Sequence, residues 1–275
     1  VSYSQNTSLY LNLEKGKEYK LVSKFKSTPF LDSIYDCPKT ISGIVSILFL
    51  VTDITEKGYE VVLKYNIGEQ LNESNFQDLT AYMYQKINNK PLHATMSKAG
   101  KILEVKNLDS IIDTLVEENK HVPKESKEYA KKWLVESHFN PKRMNDNLIL
   151  VYPEYPVSNG DTWTIFAEFE SGNPSKMSTV YEIIEITSDF AIIKSSTKFE
   201  RIDVNTIENY FSMQIKFNVT VTSITEMKVD LHTGWIIDAK IYSEQNGVMY
   251  LKNSSKDTKI EKLPYCVLKE VAITN

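Results

Sequence analysis

Four histidines, His93, His121, His138 and His232, come first among the residues that could do chemistry, because imidazole is both a common metal ligand and a general base. They lie far apart, and none is in a His-x-x-x-His spacing, so no metal site is expected. No Gly-x-Ser-x-Gly elbow occurs and neither cysteine sits in a nucleophile motif, so no catalytic residue is nominated. Glycine is scarce, with 9 residues in the chain, and none belongs to a phosphate-binding loop, which argues against a nucleotide; no cofactor is expected. Glu154, Asp161, Glu168, Glu170, Asp189 and Asp238 could supply a carboxylate pair for glycoside hydrolysis. The same residues also fit exposed strand faces, and Asp161 fits a role in the turn after Gly160.

Aromatic side chains are the better binding candidates. Tyr152 and Tyr155 stand among prolines in the stretch 151–163, where an exposed ring would stack on a sugar or peptide and a buried one would pack locally. Trp163 and Trp235 sit on the apolar faces of alternating segments, where packing in a core is the default. These four are the candidate ligand-binding residues.

The elements that position them are mostly strands. The stretch 151–163, with two prolines and Asn159-Gly160, breaks regular structure and opens the alternation Trp163, Ile165, Ala167, Phe169. Strands are predicted over 19–25, 41–55, 59–65, 92–96, 101–106, 179–187, 190–198, 210–222, 227–231, 235–242 and 267–273. A loop is expected from Thr28 to Pro38, and Asn246-Gly247 reads as a hairpin turn. Phe76, Leu79, Met83 and Ile87 suggest a short helix. Leu108, Ile111, Ile112, Leu115 and Val116 mark a clearer one, with Asn107 as its cap. Pro123 opens a second helix carrying Tyr129, Ala130, Trp133 and Leu134.

The chain also repeats itself. Gly16 and its strand from Tyr19 match Gly160 and its strand from Trp163. Val51 to Thr55 matches Ile183 to Thr187, Tyr59 to Val62 matches Phe190 to Ile193, and Gly100 to Lys106 matches Gly234 to Lys240. A gap is needed before Gly100 and Gly234. The expected fold is therefore mainly β (α+β), with two related antiparallel curved units, half-barrel-like, arising by duplication and joined by a helical insert. The expected boundaries are 1–106 for the first β repeat, 107–150 for the insert and 151–275 for the second β repeat.

A formal charge of -4 argues against a nucleic-acid partner. No apolar run is long enough to span a bilayer. Cys37 and Cys266 fit either one long-range bridge in an exported protein or two buried thiols. The start at Val1 rather than Met predicts that a segment precedes it, a signal peptide being one candidate.

Several motifs carry a resemblance: Gly16-Lys17-Glu18-Tyr19, Ser97-Lys98-Ala99-Gly100-Lys101-Ile102, Asn107-Leu108-Asp109-Ser110-Ile111 and Pro156-Val157-Ser158-Asn159-Gly160-Asp161-Thr162-Trp163. Together they resemble an uncharacterised family of exported lipoproteins from Bacteroides-type bacteria. The resemblance implies export to the periplasm or outer membrane and surface, with membrane attachment only through a lipidated N-terminal cysteine. It carries over no catalytic residue.

The expectation is a non-enzymatic envelope protein that binds a lipophilic small molecule or acts as a scaffold for an envelope protein. The alternatives are a glycan-acting hydrolase of the envelope and a surface protein-interaction module.

Overall fold

Alternation of apolar and polar residues at period two favours strands, and strands dominate the computed structural model. The structure describes residues 6–31, 40–67, 86–118, 123–135, 139, 141, 144–145, 152–169, 175–201, 208–210, 213–252 and 260–275. In chain order the elements are β1 (Glu18–Leu31), β2 (Ile41–Thr55), β3 (Gly58–Ile67), β4 (Leu92–Met96), β5 (Ile102–Val105), α1 (Leu108–Glu118) and α2 (Lys124–Leu134). There follow β6 (Thr162–Phe169), β7 (Ser175–Ile186), β8 (Phe190–Arg201), β9 (Glu208–Tyr210), β10 (Met213–Asp230), β11 (Ile236–Lys252) and β12 (Glu261–Thr274).

All of these strands form one open antiparallel sheet of 12 strands, in the order β5-β4-β3-β2-β1-β12-β11-β10-β8-β7-β6, with β9 paired to β10. Two meanders, β1–β5 and β6–β12, are thus fused where β1 meets β12, from Val22 opposite Thr274 to Leu31 opposite Tyr265. Strand β1 runs through Pro29, beyond the expected start of a loop. Among the described residues its pairing with β2 ends at Ser27 and Pro29 faces only Val267 of β12, so no described ladder bond needs the missing proline N–H. Pro264 of β12 likewise lies beyond the described β1 pairing, opposite Val248.

The sheet is strongly curled. The Leu11 N–H donates to the Lys98 carbonyl (2.7 Å) in the β4–β5 turn, and the next N–H, of Asn12, donates to Thr233 (2.8 Å) in the β10–β11 turn. In a flat sheet those turns would stand about 24 Å apart, at about 4.8 Å per strand. Adjacent residues of one strap bridge them, so the two halves fold toward each other around that strap. Its Leu9, Leu11 and Leu13 are buried in the common core.

The two meanders carry irregularities at corresponding places. In β2–β3 the register shifts between Val51 and Asp53, and in β7–β8 between Ile183 and Glu185. In β4–β5 the partners jump from Glu104 to Ile102, and in β10–β11 from Asp238 to Ile236. Gly16 (φ 81°) and Gly160 (φ 85°) both turn with positive φ. Each donates its N–H at 2.8 Å, to Val51 and Ile183 respectively.

The ladders correct one sequence alignment. Val61 faces Val51 and Ile193 faces Ile183, so Tyr59 corresponds to Ala191 rather than to Phe190. The gap falls in the turns, closed by Ser97 N–H to Lys101 in one case and by Asp230 N–H to Trp235 in the other.

Other local expectations also change. Residues 213–230 form a single strand, and β11 runs straight through Asn246-Gly247. A Cβ on Gly247 would meet the Asn218 carbonyl oxygen at 2.0 Å, so this glycine permits close strand approach rather than a turn. Asn107 does not cap α1. Its side chain accepts from His93 N–H (2.8 Å) and donates to the Pro91 carbonyl (2.8 Å), tying the helix start to β4. Of the suggested helix over 76–87, Phe76, Leu79 and Met83 lie outside the described residues.

The helical segment packs on the first meander. Leu108, Ile112, Leu115, Leu134, Phe139 and Met144 join the core, and the Phe139 ring meets Tyr65 edge-on at 5.8 Å. The Asn145 side chain bonds both the N–H and the carbonyl of Ile102 (2.7 and 3.0 Å). This satisfies part of the free edge of β5.

Candidate functional site

The sequence candidates fall into two environments. Tyr152 is 3% exposed. Its N–H donates to Ala99 (3.2 Å) and its hydroxyl to the Gly234 carbonyl (2.6 Å), so it links the turns of both meanders. Burial pushes its phenol far above the ordinary range, and the Asp230 charge adds to the shift. Beside it, Tyr59 donates to the Leu11 carbonyl (2.6 Å) and accepts from Leu13 N–H (3.2 Å). Its phenol is also raised, chiefly by desolvation. The crevice between strap and turn, lined by Leu9, Tyr10, Tyr152 and Gly234, is too narrow for a water molecule.

Trp163 stacks on Tyr181, with centroids 4.9 Å apart and planes 9° apart. Trp235 packs against Tyr19 (5.2 Å) and Phe49 (5.1 Å), and its indole N–H donates to the Lys20 carbonyl (3.2 Å). Both tryptophans are buried. Tyr155 alone of the four is exposed, at 52%. The structure does not bring these four together into one site.

The face with most half-buried apolar surface is the inner face of the second meander, farther along the strands from the strap. Side chains on this face descend in rows set by the ladders. Nearest the strap are Ile183, Ile193, Met227, Ala239 and Ile273, all buried. Beyond them the face opens, and Phe25, Ile165, Met177, Phe199, Val221, Ile241 and Val271 are only half-buried.

Hydroxyl groups form a band between these apolar rows. Ser27 faces Lys269, Lys269 faces Ser243, Ser243 faces Ser223, Ser223 faces Thr197, and Thr197 faces Thr179. The Thr179 and Thr197 hydroxyls bond at 2.9 Å.

Lys269 is the ionisable group in that band. Among the described residues, the other charged positions in this phase, Arg201, Glu208 and Glu261, all stand at strand ends. The Lys269 ammonium lies over the Phe25 ring, 5.9 Å from its centroid, and among the described residues it forms no salt bridge. The residue is accessible, yet the surrounding protein desolvates it and lowers its pKa. The sequence signal was a lysine breaking the apolar phase Val267, Val271, Ile273, which the search for catalytic patterns passed over.

The carboxylates lie elsewhere. Glu154, Asp161, Glu168, Asp189 and Asp238 are exposed, and Glu170 is outside the described residues. Asp161 accepts the Ser158 N–H at 2.8 Å and so closes the turn, as expected. Glu168 pairs with Lys176 (3.2 Å) on the outer face, where Lys194 pairs with Glu226 (3.4 Å) and Lys198 with Glu200.

Charges on a lipid-facing strand cost about 2–4 kcal/mol at mid-bilayer, so this outer face suits water. His93 and His232 are exposed, and His121 and His138 lie outside the described residues. Among the described residues no three metal-ligating side chains converge, and no helix is long and apolar enough to cross a membrane. Cys266 is a free thiol, and Cys37 lies outside the described residues.

A family model described as a family of unknown function, DUF6263, matches residues 59–236. No curated protein matches the chain. Among solved structures, an outer membrane channel from Pseudomonas putida F1 aligns over 96% of this chain and 97% of its own. Identity there is 8% and the TM-score 0.23, too low to define a shared fold.

Proposed function

The chain belongs to the family of unknown function DUF6263, and from that premise we propose that it is a non-enzymatic binding protein of the cell envelope. It is exported, anchored by an N-terminal lipid, and takes an apolar small molecule on the concave face of its second meander. The observation that carries this reading is the half-buried inner face, where Phe25, Ile165, Phe199, Val221, Ile241 and Val271 leave apolar surface on a concave wall. Sites for small molecules are typically concave and mostly apolar, with a few placed polar groups. Export and anchoring rest on the resemblance of the turn motifs around Gly16, Gly100 and Gly160.

In the same reading the two meanders are copies of one half-barrel-like unit, 1–106 and 151–275, joined by the insert 107–150. The paired bulges, the paired glycine turns and the equivalent ring pairs support it: Tyr19 faces Phe49 as Trp163 faces Tyr181.

The test is native mass spectrometry of protein purified gently from its own host, before and after solvent extraction. A discrete extra mass that leaves on extraction is the expected result, and a clean apo mass counts against a carrier.

One observation favours a second reading, a surface interaction module. Val180, Ile224 and Tyr242 lie exposed in one row of the outer face, and Phe166 is 77% exposed on the edge strand β6. Partner capture that survives Lys269 and inner-face substitutions but is lost in Ile224→Asp would support it. The separated carboxylates give no comparable support to a hydrolase.

A further inference from the structure

Resting on the carrier reading, we infer that the molecule taken up is a single-chain amphiphile with a carboxylate head, and that Lys269 holds that head. Three features point to this class.

The first is charge. Among the described residues, the inner face presents one ammonium away from strand ends, with aromatic and hydroxyl neighbours and none of the carboxylates that balance lysines on the outer face. A cation on an otherwise apolar wall is complementary to a monoanion, and a charge-assisted hydrogen bond is about twice as strong as a neutral one. The second is the band itself. Ser27 and Ser243 flank Lys269 on the two neighbouring strands, and their hydroxyls can donate to a carboxylate that an ammonium alone would leave partly unsatisfied.

The third is what borders the band. Phe25, Ile241 and Val271 lie on the strap side, and Val221, Phe199 and Met177 on the far side. On the strap side an alkyl chain leaving the head meets Phe25, Val271 and Ile241; on the far side it meets Val267, with Gln245 beside it, before reaching Val221 and Phe199. A sugar would find too few polar partners there, and a nucleotide would bring more negative charge than one lysine can match.

The experiment compares binding of palmitate and hexadecanol, which share a chain and differ in the head, to the full chain and to Lys269→Met and Lys269→Arg. Displacement of a fluorescent apolar probe is the readout. The expected result is palmitate binding at least about tenfold tighter than hexadecanol, the factor given by about 1.4 kcal/mol. That preference should vanish in Lys269→Met and persist in Lys269→Arg, which keeps the charge.

Equal binding of acid and alcohol by the wild-type chain overturns this inference and leaves the carrier standing. So does an acid preference that Lys269→Met retains. Failure of both ligands to displace the probe counts against the carrier reading itself. The wild-type comparison decides the question even if Lys269→Met does not fold.

Discussion

The two meanders share a backbone plan and differ in what they put on its inner face. Where the first carries Ile47, Leu63 and Leu92, the ladder-equivalent positions of the second carry Thr179, Ser195 and Thr225. The large aliphatic set accompanies a covering layer: Phe139, Leu134 and Met144 of the helical segment join the same core. The hydroxyl set is itself buried, and the rows beyond it open to half-burial. A curled antiparallel sheet must cover its apolar face. Among the described residues, the first half does so with its own helical segment.

The comparison breaks most severely at the joint between the halves. Gly234 has φ 68°, and a Cβ there would lie 2.1 Å from the Tyr10 carbonyl oxygen of the strap. Gly160, with φ 85°, has nothing within 4 Å of its Cβ position. Gly160→Ala should cost about 1–2 kcal/mol, the penalty of left-handed backbone alone. Gly234→Ala should cost more than about 3 kcal/mol because backbone must move. Urea denaturation checks both, and equal losses would mean that the strap does not clamp the turn.

Next in size is the contrast between equivalent core positions. Leu63→Ala should destabilise by about 2–5 kcal/mol through loss of burial and a residual cavity. Ser195→Ala, at the equivalent place, should cost about 1 kcal/mol or less.

Tyr152→Phe should then cost about 1–3 kcal/mol, because the Gly234 carbonyl loses its buried donor. Its pH dependence has a definite sign. Burial raises the folded-state pKa of Tyr152 and of Tyr59, so the protonated phenols favour the fold. That contribution is complete below the unfolded value near pH 10 and is lost as pH rises through the raised folded values. Wild-type stability should fall above about pH 10, and Tyr152→Phe should fall less steeply.

The smallest expected effect is in the hydroxyl band. Thr179→Val removes a 2.9 Å bond to Thr197 and should cost about 0.5–1.5 kcal/mol, read from the same denaturation midpoints.

Much of this architecture was legible because its signals are local. Alternation located the strands, and Leu108, Ile112 and Leu115 located the first helix through their 3.6 period. The glycines at 16, 100, 160 and 234 were legible as turns, and all four have positive φ. What failed were residues whose meaning depends on a distant partner. Asn246-Gly247 is a turn signal by type, but the backbone of β10 passes too close for anything except glycine. Asn107 had the right position for a cap, but β4 offered it backbone partners instead.

Tyr152 could be placed in a proline-rich loop, yet its burial follows from two turns that meet only because the sheet curls. Lys269 was visible as a charge in an apolar phase. The hydroxyl row around it comes from five other strands and appears only when the register is known.

The central claim is that a ligand lies on the inner face of the second meander, and methyl NMR with a doxyl-labelled stearate tests it most directly. The account predicts paramagnetic broadening of the inner-face methyls of Ile241, Val271 and Val221. The outer-face methyls of Ile224 and Val180, on neighbouring residues of the same sheet, should remain sharp. Broadening of Ile224 and Val180 with sharp inner-face signals would contradict the account and place any amphiphile on the outer surface.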